Sequence, residues 1–415
     1  MSRTHRRTLL AAVAIGLTLC VGVDATYAQS GQKVTLKIAN SQWLDALRGK
    51  NLWDALLKYQ HVNPNVTLEQ EAIPSSEFDD KLTTEMGAGQ GPDIAMMQEG
   101  LFYSIADAGF LVSLDQAVAG VNLNKTNDNG VIDGTRYGVA WQRAVYALIY
   151  NKPILEAAKA QVPITVDELI ASAKAASGAT PSVIGFTARH QMNDFKGWFM
   201  DFQNWAYGYG VNWVNADGKL TIDTPEAAAA IAAFKKVYDS GIIPIGDSMP
   251  TQRTRFKEKH VAFSIDNSGG TLNIASGGAL QSADVGAAPM PFKHAGAHQQ
   301  IFVGVSTHSE HQMEALAFVK WLVSSEGQQA LREASGPDAL ATDVPVSEAY
   351  TKANPWVPEF VKLAETSRST LIKGHEVETP EIMRLVMDAV EKVLLTNADP
   401  KTVLAEAQKA VDTQF

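Results

Sequence analysis

The 415-residue chain has a single cysteine, Cys20. One thiol excludes a disulfide framework and a cysteine-rich metal site. Basic residues are in deficit, 35 Lys and Arg against 45 Asp and Glu, for a formal charge of −10. That balance excludes a nucleic-acid binder working through a basic surface. Long apolar runs are also missing. Leu9–Val23 carries no charge, yet it makes only about 22 Å of helix, short of the roughly 30 Å hydrocarbon core of a bilayer. No Gly-x-Ser-x-Gly elbow occurs, and the nearest glycine cluster, Ser268-Gly269-Gly270, lacks the Lys-Ser/Thr of a phosphate loop. What is plentiful excludes disorder: 8 Trp, 15 Phe and 10 Tyr belong to a chain that buries a core, with length for two or three domains.

Arg3, Arg6 and Arg7 precede the short apolar run, and the small residues Ala25 and Ala28 follow it, the pattern of a cleaved secretory signal over residues 1–28. Cleavage after Ala28 removes Cys20 and leaves 32 basic against 44 acidic residues, net −12. A thiol-free mature chain suits export to an oxidising compartment. Leu17-Thr18-Leu19-Cys20 has the outline of a lipoprotein site. Leu19 is bulkier than the small residue such sites carry, so acylation at Cys20 is not expected. The Arg6-Arg7 pair leaves the twin-arginine and general secretory routes both open.

Val34, Leu36 and Ile38 alternate with polar residues, predicting a strand; a helix through Tyr59 follows Asn40–Trp43, and Asn63-Pro64-Asn65 closes it. Val66–Ile73 predicts a second strand, Phe78, Leu82 and Met86 a second helix, and Ile94–Met97 a short buried strand. Strand, helix, strand, helix, strand with short connections defines an α/β fold with parallel strands. Ligands in such sheets bind outside the carboxyl ends of the strands, which points at Asn40–Trp43 and Met97–Glu99. No Pro- or Ser-rich linker divides the chain, so two domains require the chain to cross between them.

Catalytic signals are weak. His294 and His298, and His308 and His311, have helical metal-ligand spacing, but they lie among small polar residues that predict loops, and no third ligand follows. They read as surface histidines, and no metal or cofactor is expected. Trp198–Tyr209 mixes rings with amides and carboxylates. Most of those rings predict a helix core, with Trp198 the one expected to reach a ligand. Gln42-Trp43 and Trp141-Gln142-Arg143 place a ring beside polar donors at segment ends, the combination that sugar rings require.

Gly89-Gln90-Gly91-Pro92-Asp93-Ile94 resembles the Gly-x-x-Pro-Asp-Val/Ile signature of the sugar-binding, maltodextrin-binding-like extracellular solute-binding proteins of ABC transporters. Ala108–Asp115, Tyr137–Trp141, Leu148–Lys152, Pro163–Leu169, Val285–Pro291 and Ala315–Gln328 are similar to further segments of that family, in the same order. The resemblance implies a two-lobed periplasmic-binding-protein fold with an interdomain ligand cleft and three hinge crossings. It sets one lobe at residues 29–140 plus 302–338 and the other at 141–300 plus 341–415. It also implies a monomer that captures a carbohydrate or polyol by hinge closure and delivers it to ABC permease subunits, without being an enzyme.

The expected binding residues are Gln42, Trp43, Gln98 and Glu99 from the first lobe, Glu99 accepting hydroxyl hydrogen bonds. From the second lobe come Trp141, Arg143, Trp198 as a stacking ring, and Asn267, Ser268, Gly269 and Gly270. That last segment aligns with the family's "GpW" loop but has glycine where tryptophan is usual, which opens space or lets backbone N–H groups reach a ligand. Two alternatives stay open: an anionic sugar derivative or glycerophosphate held by Arg143, with Arg189 adding contacts, and a periplasmic carbohydrate hydrolase.

Overall fold

The computed structural model describes residues 33–415; the expected signal peptide, with Cys20, lies outside the described residues. The strands are β1 (Val34–Ala39), β2 (Val66–Glu71), β3 (Ile94–Gln98), the short pair β4 (Val131–Ile132) and β5 (Thr135–Arg136), β6 (Val139–Asn151), β7 (Ile184–Thr187), β8 (Val261–Asn267), β9 (Val285–Ala288), β10 (Ala297–Val305) and β11 (Arg368–Ser369). The alternation at Val34, Leu36 and Ile38 does what it predicts: all three point into the core, each such side chain worth roughly 1.5–3 kcal/mol on full burial. β1 pairs in parallel with β2 from Val34↔Val66 to Ala39↔Glu71, and with β3 at Ile38↔Ile94. Helices Ala46–Val62 and Phe78–Gly87 make the crossovers.

One sheet runs through the molecule in the order β2-β1-β3-β10-β6-β8-β7, with β9 on β6 and β11 on β10. β10 lies antiparallel to β3 on one side and to β6 on the other. The β6–β10 register shifts between Ile301 and Phe302: Gln142 faces Ile301, Ala140 faces Phe302, and Trp141 is the extra residue of the bulge.

The apolar side chains divide on either side of that shift, which makes the molecule two-lobed. One group gathers residues from Val34 to Trp141 and from Phe302 to Ala341. The other gathers Val145 to Ala297 and Trp356 to Val411. β6, β10 and the segment 342–345 pass between them. Trp141, expected in the second lobe, packs in the first, because the bulge turns its ring back onto Trp43, 6.3 Å away edge-on.

Helix starts follow their side chains. Thr165, Thr224 with Pro225, Asn267, Ser324 and Asp399 with Pro400 each accept a hydrogen bond from a first-turn amide. The aromatic run becomes the helix Phe195–Gly208, buried from Trp198 to Gly208. His298 corrects the loop expectation: it is in β10 and buried, and burial pushes its imidazole down to about 3. Among the described residues no group of three or more His, Cys, Asp or Glu is placed to hold a metal, and no helix is long and apolar enough to cross a membrane.

Candidate ligand-binding cleft

Between the lobes lies a cavity of about 750 Å³. Its first-lobe wall is the start of helix Phe78–Gly87, through Asp79, Asp80, Thr83 and Thr84, together with Gln98 and Glu99 at the carboxyl end of β3. Its second-lobe wall is one face of helix Phe195–Gly208, where Phe195 and Phe199, and Lys196 and Met200, repeat at a spacing of four. Gln299 and Gln300 of β10 form the floor, and Arg384 of helix Thr379–Thr396 stands at the side. The cavity therefore lies at strand ends, where a parallel α/β sheet places its ligands.

Glu99 is the pivotal group. It opens helix Glu99–Asp107, is 3% exposed, and accepts from Asn129 Nδ2 at 2.9 Å and Ser369 Oγ at 2.7 Å. Burial pushes its carboxyl up to about 7, against the pull of those two donors. The walls differ in sign, with Asp79, Asp80 and Glu99 facing Lys196 and Arg384. Lys196 Nζ pairs with Asp79 across the gap, and the Arg384 guanidinium sits 4.0 Å over the Phe195 ring.

Of the residues expected from sequence, Gln98 and Glu99 line this cavity. The others are spent elsewhere. Trp43 and Trp141 are 8% and 0% exposed. Their indole N–H groups donate to the Ile38 carbonyl at 2.9 Å and to Gln42 Oε1 at 2.8 Å. Gln42 Nε2 in turn donates to Gln142 Oε1 at 2.9 Å. Arg48 donates to the same Gln142 oxygen at 3.0 Å and to Asp338 at 3.4 Å, and Asp338 also accepts from Ser268 Oγ. This buried network ties the first helix of one lobe to helix Ser268–Ala275 of the other.

The glycines there seat protein rather than ligand. A Cβ on Gly269 would lie 2.7 Å from Arg48 Nη2, and one on Gly270 would lie 2.2 Å from Arg253 Nη2. Asn267 caps its helix through Gly270 N and donates to Gln299 Oε1 at 3.3 Å. Arg143 is held along β6, its backbone bridged to Ala339 and its guanidinium donating to the Ala364 carbonyl at 3.4 Å, off the cavity walls. Trp198, expected to stack on ligand, is 1% exposed in the core of the second lobe. Its ring borders only a crevice of about 10 Å³.

Sequence reasoning missed Asp79, Lys196, Phe199, Gln299 and Arg384. The aromatic run held the signal for Phe199 and Lys196, whose helical spacing puts them on one face. Asp79 and Arg384 carried none, since their place depends on which helices meet across the gap.

A two-lobed α/β protein with a polar and aromatic cavity between lobes joined by strands is a solute-binding protein in its architecture. The chain belongs to the bacterial extracellular solute-binding proteins, whose family model matches residues 47–329. A Brucella abortus (strain 2308) relative, named only as a binding protein, is 24% identical over 375 residues, covering 85% of this chain and 87% of its own. The maltose-bound MalE3 of T. maritima superposes with a TM-score of 0.80 at 21% identity, over 92% of this chain and 100% of the other. A ribitol complex of an ABC-transporter solute-binding protein from Agrobacterium radiobacter K84 superposes with a TM-score of 0.74 at 20% identity, over 93% and 99%.

Proposed function

We propose that this protein is the extracytoplasmic binding subunit of an ABC importer, capturing a carbohydrate or polyol between its lobes and presenting it to permease subunits. The observation that carries this reading is the composition of the cavity. Phe195, half-buried under Arg384, with the edges of Phe199, Met200 and Leu101 gives the wall an apolar surface, and Gln98, Thr83 and Thr84 offer neutral hydrogen-bonding groups, with Gln299 and Gln300 held in place beneath them by Tyr146, Asn267 and Thr126. That pairing suits a ligand with C–H faces and hydroxyls. The bound maltose and ribitol of the similar structures agree with it. The functional lobes divide near residues 142–144, 298–301 and 342–345. They act as a monomer in the periplasm after removal of residues 1–28.

Ligand that contacts both walls favours the closed form, and only that difference in affinity moves the equilibrium. The arginines of the anionic alternative are engaged elsewhere: Arg189 pairs with Asp194 and Asp201, and Arg143 is off the cavity. The three carboxylates of the cavity, Asp79, Asp80 and Glu99, share one wall. Glycoside cleavage needs a pair flanking the bond, so the arrangement supports binding rather than hydrolysis. Calorimetry with mono- and oligosaccharides and polyols tests the proposal: saturable binding without turnover is expected. Release of a cleaved product, or no binding across the panel, overturns it.

A further inference from the structure

Three carboxylates line the cavity, and they differ in what balances them. Asp79 pairs with Lys196, and Asp80 is exposed to water. Glu99 is buried, and among the described residues it forms no ion pair. Its two hydrogen-bond donors, Asn129 Nδ2 and Ser369 Oγ, are both neutral. The cations of the gap are engaged elsewhere. Arg384 lies over Phe195, Arg368 lies over Tyr207 and donates to the Val211 carbonyl, and the Arg143 guanidinium donates to the Ala364 carbonyl. Lys373 borders a neighbouring cavity together with Glu99, and Glu376 stands there with the opposite charge.

Resting on the carbohydrate reading above, we propose that the ligand is an amino sugar or amino polyol, whose ammonium group is the counter-ion that Glu99 lacks.

A carboxylate removed from water is costly unless a cation or enough hydrogen bonds replace what the water gave. It has about four acceptor sites, and Asn129 and Ser369 occupy one on each oxygen, so one on each stays open. A hydroxyl brings a single donor and fills one of them. An ammonium brings three: two bridge the carboxylate, and the third has the oxygens of Gln98 and Thr83 on the same wall as acceptors. The bonds it makes to Glu99 are charge-assisted, roughly twice as strong as those of a neutral donor. The cavity wall and the whole chain agree in sign. Three carboxylates of the cavity stand against two cations, Lys196 and Arg384, and the formal charge of the chain is −10, a field that draws in a cation and opposes an anion.

The same arrangement gives capture a pH dependence. Burial pushes the Glu99 carboxyl up to about 7, with Glu376, Tyr103 and Tyr207 around it and Arg143, Arg368 and Lys373 acting in the opposite sense. An ammonium against the carboxylate favours its charged form, so binding releases the proton and weakens in acid.

The test is calorimetry of the protein with matched pairs that differ in one amino group: glucose and glucosamine, mannose and mannosamine, galactose and galactosamine, sorbitol and glucamine, cellobiose and the β-linked glucosamine disaccharide. The expected result is an amino ligand binding at least about tenfold tighter than its hydroxyl twin at pH 7, the scale that separates a charge-assisted from a neutral hydrogen bond. That preference is expected to shrink at pH 5 and in high salt, and to fall to about one in Glu99→Gln, which keeps the shape and loses the charge. The pH comparison is made on the unaltered protein, so it decides even where the variant folds poorly. A hydroxyl twin that binds as tightly as its amino partner, or tighter, overturns the proposal and leaves the carbohydrate reading intact. An amino preference undiminished at pH 5 or in Glu99→Gln also overturns it, because another group then holds the ammonium. A panel in which nothing binds overturns the carbohydrate reading and this proposal with it.

Discussion

The guanidinium of Arg48, on the first helix of one lobe, fills the space that a side chain at Gly269, on the other lobe, would need. Nearby, Asp338 is fully buried and takes its charge partner from Arg48 and a hydrogen bond from Ser268. Gly269→Ala is therefore expected to destabilise the protein by about 1–3 kcal/mol through overpacking. Arg48→Ala is expected to cost more, about 3–5 kcal/mol, because it removes the ion-pair partner of the buried Asp338 carboxylate and leaves it only the charge of Arg332, which donates to the Asp338 backbone carbonyl. Urea denaturation of both variants measures this; a Gly269→Ala protein as stable as wild type would show that Arg48 moves aside freely.

The three tryptophans expected from sequence to touch ligand should behave as core residues. Trp141→Ala is expected to lower stability by about 3–5 kcal/mol, as truncation of a fully buried ring does. Gln98→Ala, on the cavity wall, is expected to leave melting unchanged and weaken ligand binding roughly three- to tenfold, the loss of about one hydrogen bond. The two roles are exchanged if Trp141→Ala melts like wild type while losing its ligand.

Glu99 gives the empty protein a pH dependence. Its carboxyl is raised from 4.5 to about 7 in the fold, so the native state holds this proton more tightly than the unfolded chain. Stability attributable to Glu99 is full below pH 4.5, declines as pH rises to about 7, and stays low above that. His298 acts in the opposite sense, losing stability as pH falls from 6.5 towards 3, so the comparison must be by difference. Asp201, which burial also pushes up to about 7, declines in the same sense, so Glu99→Gln is expected to lessen rather than abolish the wild-type decline in melting temperature between pH 5 and 8. Parallel curves for the two proteins would mean that Glu99 is solvated in solution.

Asp79 and Lys196 face each other from opposite lobes, 38% and 44% exposed. Such a pair contributes under about 1 kcal/mol to stability and is weakened by salt. Asp79→Asn is expected to leave urea denaturation within that margin, yet to enlarge the radius of gyration of the ligand-free protein measured by X-ray scattering at low salt. An unchanged scattering curve would remove the pair from any part in lobe closure.

The fold was legible where local pattern decides it. The alternation of β1, the spacing of Phe78, Leu82 and Met86, and the Thr224-Pro225 and Asp399-Pro400 helix starts each carry their own signal. Gln98 and Glu99 were legible because a strand end in a parallel sheet is a place as well as a pattern. Trp43 and Trp141 were misread for a physical reason: a tryptophan beside glutamine looks the same whether the amide serves a sugar hydroxyl or the ring's own buried N–H. The bulge against β10, a pairing of distant segments, decides between them. Gly269 was ambiguous in the same way, since a missing side chain does not say whether a ligand or an arginine fills its place.

β6 and β10 stay hydrogen-bonded to each other on both sides of the Trp141 bulge, from Val139↔Val303 to His298↔Val145. A change in the angle between the lobes is then a twist of a two-stranded ribbon, which has stiffness and a resting angle, where slack chain has neither. Every ligand works against the same spring. A substitution at Val145, inside the ribbon opposite His298 and off the cavity wall, should therefore multiply all dissociation constants by one common factor and leave the order of preference among ligands as it was, which titrating two ligands of different length against one such variant would show.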